Sequence, residues 1–176
     1  MKASYLTSHG GPEVQTYGEL PDPVAGPGEV VVRLKAAALN HLDLWVRAGI
    51  PGLKLAFPHI LGGDGAGVVE SVGAGVGNWK AGAEVIVHPG LSCGHCGRCQ
   101  DGWESLCDQY RILGEHVSGT HAQKVKVPAA NLFAKPENLN FEEAAAVPLV
   151  FTTAWQMLVR RANVQAGETV LVHAAG

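Results

Sequence analysis

The chain has 176 residues, 47% of them hydrophobic and 16% charged, which is enough for one ordinary globular core. Its formal net charge is −3, from 13 Lys+Arg against 16 Asp+Glu, and no basic cluster gives a nucleic-acid partner an electrostatic footprint. The first residues, MKASYLTSHGG, lack a signal peptide's apolar core, and the most apolar stretch (144–159) is interrupted by Pro148, Thr152, Thr153 and Gln156, so no membrane partner and a cytoplasmic location are expected.

Along the chain, the first two-thirds reads as β structure, punctuated by many of the 23 glycines and ten prolines. MKASYL predicts an opening strand. EVVVRLKAAAL (29–39), rich in Val and Leu, predicts the next. NHLDLWVRAG (40–49) predicts a short helix capped by Asn40 and stopped at Gly49, with Leu42, Trp45 and Val46 on one face. GAGVVESVG (65–73), AEVIVHPG (83–90) and HAQKVKVP (121–128) predict further strands, the last with Val125 and Val127 on one side. Short strands at near-regular spacing suggest a barrel or sandwich.

Between two of these strands stands CGHCGRCQDGWESLC, which holds all four cysteines of the chain in the pattern C-x2-C-x2-C-x7-C. Two-residue gaps bring successive sulfurs to one ion, and Gly94 and Gly97 permit the turns. Cys93, Cys96, Cys99 and Cys107 therefore read as the ligands of one zinc. Four thiolates leave no open position for water or substrate, so the zinc is structural. Free thiols and disulfides suit this density less well in a reducing compartment. An iron–sulfur cluster would follow the third cysteine by three residues and a Cys-Pro, where this chain has seven. His95 reads as a surface residue, and Arg98 as a counter-charge to the thiolates.

The character changes near residue 140. NFEEAAAVPLVFTTAWQMLVRRANV predicts a helix capped by Asn140, a break at Pro148, and a second helix ending at Arg160 and Arg161. AGETVLVHAAG then predicts a turn and an apolar strand. A strand closing in Ala-Ala-Gly is how a dinucleotide-binding βαβ unit begins, with Gly176 at the phosphate loop. The alternative is that this strand joins the barrel. The expected division is a catalytic domain over 1–139, including a zinc lobe over 91–110. Residues 140–176 would then supply connecting helices and the first strand of an incomplete nucleotide-binding domain. By this reading the chain is the front part of a larger enzyme and does not bind a dinucleotide tightly alone.

GGPEV, AAALNHLDLWVRAG, PHILGGDGAGVVESVG, the cysteine loop and EEAAAVPLVFTTAW together resemble the N-terminal portion of the zinc-containing alcohol dehydrogenases and quinone reductases of the medium-chain dehydrogenase/reductase superfamily. The resemblance implies a mainly β, GroES-like barrel with connecting helices, joined to a Rossmann domain. It also implies NAD or NADP as cofactor, a small-molecule substrate and a homo-oligomer. Family members often hold a second, catalytic zinc. Its ligand positions fall here on Asn40, on Gly63 with Asp64 as the neighbouring acid, and near Leu149. Glycine and leucine side chains cannot ligate zinc. The resemblance in the active site is therefore to the zinc-independent branch, which passes hydride to a quinone, enone or carbonyl.

In that pattern Asn40 and Thr153 are the candidate hydrogen-bond donors to the acceptor oxygen, and Thr152 and Thr153 the contacts to the nicotinamide. Each has a second reading: Asn40 as a helix cap with its amide NH2 left free, the threonines as helix packing. His41 is a candidate phosphate contact or proton relay. Asp64, among Gly62, Gly63, Gly65 and Gly67, is expected to be buried. Asp43 is expected either in solvent or paired with Arg47 or His41. Trp45 reads as core or pocket wall; His59, His88, His116 and His121 read as structural.

Overall fold

The computed structural model describes residues 1–173. Ten strands and four short helices follow one another, and every strand pairing is antiparallel. The central sheet has five strands: β3 (Glu29–Ala38), β5 (Asp64–Val72), β6 (Glu84–Val87), β9 (Lys124–Pro128) and β10 (Leu132–Ala134), in the order β10-β6-β5-β3-β9. A second sheet sets β1 (Lys2–Leu6) between β2 (Gln15–Glu19) and β4 (His59–Ile60). The two sheets are joined where Ala3 bridges Ala122 and where the Gln123 N–H donates to the Lys2 carbonyl at 3.0 Å. A two-stranded ribbon, β7 (Gly90–Leu91) with β8 (Arg111–Ile112), carries the cysteine loop.

The core is built from alternate strand positions. Val30 and Val32 of β3, Val69 of β5, Val85 and Val87 of β6, Val125 and Val127 of β9 and Leu132 of β10 pack with Leu113 in one buried cluster. β-branched side chains suit this pleated, half-covered surface. On the opposite face α3 (Phe141–Ala145) lays Ala144 and Ala145 against Ala66. The small residues let the helix come close. Asn140 caps α3 by accepting from the Glu143 N–H at 2.8 Å, and the Glu143 carboxylate takes the Asn140 N–H at 3.0 Å.

β1, β3, β5, β6 and β9 lie where the sequence predicted strands, and α1 (His41–Ala48) where it predicted a helix. Within α1, Val46 is buried and Leu42 half-buried, but Trp45 is 57% exposed. Its indole meets the His41 ring edge-on, with centroids 4.8 Å apart, so it is not part of the core. The second C-terminal helix, α4 (Pro148–Trp155), continues into a π-helical turn, Gln156–Arg161. The predicted terminal strand is not formed within the described residues. Val170, Leu171 and Val172 are 46%, 78% and 65% exposed, and no strand among the described residues lies beside them to supply ladder partners. Gly176 and its phosphate-loop assignment lie outside the described residues. Among the described residues no helix is long and apolar enough to cross a membrane.

Candidate functional site

Two places concentrate chemistry. The first is where β5, α1 and α4 meet. Glycines 62, 63, 65 and 67 strip side chains from this stretch, so the backbone runs close to its neighbours. Gly62 has φ +98°, and a Cβ there would sit 2.5 Å from Thr120 Oγ1 and from the His121 ring. A Cβ on Gly63 would lie 3.4 Å from both Leu149 Cδ1 and Pro89 Cβ.

Asp64, 1% exposed, stands at the centre. One carboxylate oxygen accepts from Asn40 Nδ2 at 2.9 Å and the other from the Leu149 N–H at 2.9 Å. Its own carbonyl takes the Thr120 hydroxyl at 2.7 Å. Burial pushes the Asp64 carboxyl above its usual range, and the nearby Asp43 adds to this; the bonds from Asn40 and Leu149 act in the opposite sense. Asp43 is also buried, 6% exposed. It pairs with neither Arg47 nor His41, the expected partners. Its oxygens take the Asn40 N–H at 2.8 Å and the Gly62 N–H at 3.0 Å. A carboxylate that gathers backbone N–H groups is stabilised without a counter-charge. The Asn40 amide is likewise not left free, since one of its N–H groups is committed to Asp64.

The structure thus brings together four positions scattered in sequence: Asn40, Gly63, Asp64 and Leu149. Other candidates lie apart from them. His41 is on the outer side of α1 against Trp45. Thr153 is exposed on α4. Thr152, also exposed, lines a cavity of about 180 Å3 with His88, Trp103, Glu104, Tyr110 and Trp155. Of the histidines read as structural, His59 is 3% exposed with its Nε2 3.0 Å from the Gly114 carbonyl, and His116 Nδ1 accepts from the Ile112 N–H. His88 is half-buried and meets Phe133 edge-on. The Leu149 and Gly62 amides were missed by sequence reasoning because a backbone donor leaves no mark in residue type.

The second place is the cysteine loop. The sulfurs of Cys93, Cys96, Cys99 and Cys107 all lie within 4.8 Å of one another, with Cys93 to Cys99 at 3.9 Å and Cys96 to Cys99 at 3.5 Å. A tetrahedral zinc with bonds of ~2.3 Å needs sulfurs about 3.8 Å apart, so the donor set and its spacing fit that ion. Backbone N–H groups are already aimed at the sulfurs. Cys96 donates to Cys93 Sγ at 3.4 Å, Cys93 to Cys107 Sγ at 3.5 Å and Gln109 to Cys107 Sγ at 3.3 Å. Such bonds, from His95 and Cys96 first, hold the Cys93 thiol down to about 6. α2 (Gly97–Gln100) carries Cys99 at its centre. Arg98 does not reach the sulfurs: it donates to the Leu106 carbonyl and pairs with Asp108 at 3.1 Å, bracing the loop from outside. His95, exposed, turns its ring to the Cys93 carbonyl.

Residues 26–137 match the alcohol dehydrogenase GroES-like domain. The chain is 36% identical over 160 residues to an alcohol dehydrogenase of Geobacillus stearothermophilus, covering 90% of this chain and 47% of that protein. It is 34% identical to a crotonyl-CoA carboxylase/reductase of Cereibacter sphaeroides, covering 95% of this chain and 41% of that one. Among solved structures, an NAD-dependent alcohol dehydrogenase superposes with a TM-score of 0.93 at 56% identity, over 96% of this chain and 49% of its own. A cobalt- and zinc-bound thermostable alcohol dehydrogenase from Pyrobaculum aerophilum superposes with a TM-score of 0.85 at 38% identity, over 96% and 50%. The chain spans about half the length of the relatives it matches. Strand order, cysteine loop and similarity over almost every residue agree: the chain belongs to the alcohol dehydrogenase GroES-like domain family, in the medium-chain dehydrogenase/reductase superfamily.

Proposed function

We propose that this domain serves an NAD(P)-dependent oxidoreductase that passes hydride to an electron-poor acceptor, a quinone, enone or carbonyl, with one structural zinc on the four cysteines and no catalytic zinc. The observation that carries this reading is the packing of Asn40, Gly63, Asp64 and Leu149 at one point. In the family pattern these are the positions of catalytic-zinc ligands. Here two of them have side chains that cannot bind a metal. The one carboxylate among them is buried and spends both oxygens on N–H donors. A zinc at this point would break two hydrogen bonds and find only the side-chain oxygens of Asp64 and Asn40, short of the three protein ligands that a catalytic zinc takes.

The nicotinamide, when bound, supplies the hydride. The chain's own residues orient and polarise. An acceptor that gains hydride builds negative charge on its oxygen, so fixed donors are the useful groups. Asn40 keeps one amide hydrogen beyond the one given to Asp64. Its rotamer is fixed by that bond, so the remaining N–H has a fixed direction. Thr153, exposed on α4, is the second donor and with Thr152 the contact to the nicotinamide. His41, exposed beside the helix start, is placed for the cofactor phosphates or for returning a proton from solvent. Asp64 works through others, by holding Asn40 and the start of α4. The reduced thiols that zinc binding requires suit a cytoplasmic setting.

The rival reading, an alcohol dehydrogenase that recruits zinc through Asp64, His41 or His59, draws on the names of several relatives. The full-length protein separates the two. NAD(P)H oxidation by a panel of quinones and enones is expected, and it should survive a chelator too weak to strip a four-thiolate site. Alcohol oxidation that the chelator abolishes, with no enone or quinone turnover, would overturn the proposal.

A further inference from the structure

The cysteine loop is not a detached appendix. Trp103, between the third and fourth cysteines, sits under two arginines at the end of the C-terminal helix. The Arg160 guanidinium lies 4.4 Å from the centre of the indole ring and that of Arg161 5.4 Å. Arg160 Nη2 also donates to the Gly102 carbonyl at 3.1 Å. Neither arginine has a carboxylate within ion-pairing distance among the described residues, so the indole face is their partner. The backbone around Trp103 is fixed by the cysteine turns. Gly102 N–H donates to the Cys99 carbonyl at 3.1 Å, Trp103 N–H to the Arg98 carbonyl at 2.7 Å, and Leu106 N–H to the Trp103 carbonyl at 2.8 Å. Cys107 N–H then closes on Glu104 at 3.0 Å. The position of the indole is therefore set by the folding of the loop that the four sulfurs share.

Arg160 and Arg161 end the π-helical turn that continues α4 without a break, and α4 carries Thr152 and Thr153. Thr152 and Trp103 face the same small cavity. At its other end α4 starts at the buried Pro148, and the Leu149 N–H bonds to Asp64; its cap residue Val147 offers no side-chain bond. The helix is exposed along most of its length, so few buried contacts fix it in between.

We infer that Trp103 is a positioning residue: it grips Arg160 and Arg161, fixes the far end of α4, and thereby transmits metal occupancy of the cysteine loop to Thr152 and Thr153. The functional part of this rests on the proposed nicotinamide contact of those threonines; the mechanical part does not. The zinc is then structural in what it binds, yet felt where the cofactor is bound. Without the metal the turns around Trp103 loosen, the indole leaves the guanidinium groups, and α4 is held only at its start, around Pro148 and Asp64.

Two measurements on the full-length protein test this. The first is amide hydrogen exchange over 148–161 in the zinc-loaded protein, the zinc-stripped protein, and zinc-loaded Trp103→Leu and Trp103→Phe variants. Zinc removal should speed exchange there about three- to tenfold, the scale of one partly desolvated cation–π contact. Trp103→Leu should do the same with its zinc content unchanged, zinc removal from that variant should add nothing, and Trp103→Phe should recover most of the protection. Exchange over 148–161 indifferent to Trp103→Leu, or to zinc removal, overturns the inference. The second is the KM for NAD(P)H, which should rise in Trp103→Leu more than kcat falls. If exchange responds and that KM does not, the grip stands and the nicotinamide assignment of Thr152 and Thr153 fails.

Discussion

Residue-scale chemistry here is dominated by polar groups buried beside glycine. Asp64 was legible as buried because four glycines surround it, and a carboxylate in such a stretch has no side-chain neighbours to keep it wet. Asp43 was not legible. Its sequence context is an amphipathic helix start, and its partners are backbone N–H groups, one of them Gly62, nineteen residues away. Nothing in residue type announces a backbone donor. His59 shows the same limit, because the Gly114 carbonyl that orders its ring lies 55 residues on. Burial first, with a smaller push from His9, lowers its ring below the ordinary histidine value of 6.5, against the Gly114 bond. The unfolded chain therefore binds the proton more readily than the folded one. The contribution of neutral His59 to stability is present in full above 6.5 and is lost as pH falls from there through the folded value. Urea unfolding at about pH 7.5 and about pH 5.5 should show wild-type stability falling more than that of His59→Gln, which keeps a hydrogen-bonding end but cannot titrate. Parallel losses in the two proteins would remove His59 as the cause.

Elements with their own start, stop and period were readable. α1 has Asn40 before it and Gly49 after it, α3 has a complete capping box, and β3, β5, β6 and β9 are runs of branched side chains. β4 and β8 are two residues each and β10 three, and such strands exist only because a distant partner supplies a ladder. β2 (QTYGE) lacks an apolar face altogether. α4 is an intermediate case. Pro148 at its first position marks the start, but the acceptor that caps it is Asp64, 85 residues earlier in the chain. Asp64 thereby joins α1, through Asn40, to α4. Asp64→Ala would strand two half-buried donors at once, and the expected cost is about 1–3 kcal/mol of unfolding free energy, with Asp64→Asn milder because it keeps one acceptor for Leu149. Equal unfolding midpoints for Asp64→Ala and wild type would show that the bond to α4 carries no weight.

At the scale of the whole molecule, the GroES-like fold was legible from the order of the strands and of the family segments. The terminal strand was not realised within the described residues, because a strand apolar on both faces needs neighbours on both sides. What the sequence suggested about the active site depends on four positions, Asn40, Gly63, Asp64 and Leu149, that only the fold brings to one point. Their convergence turns a negative observation about residue types into a statement about place: the point where relatives could hold a second metal is packed with Gly63 and Leu149 and closed by an Asp64 already in use. The proposed function requires metal at the four cysteines and none where Asn40, Gly63, Asp64 and Leu149 meet. Elemental analysis of the purified full-length protein tests it most directly, beside the same protein carrying Cys107→Ser. One zinc per chain, lost in the variant, is the expected result; two zincs per chain, or one that survives the loss of Cys107, would refute the proposed function.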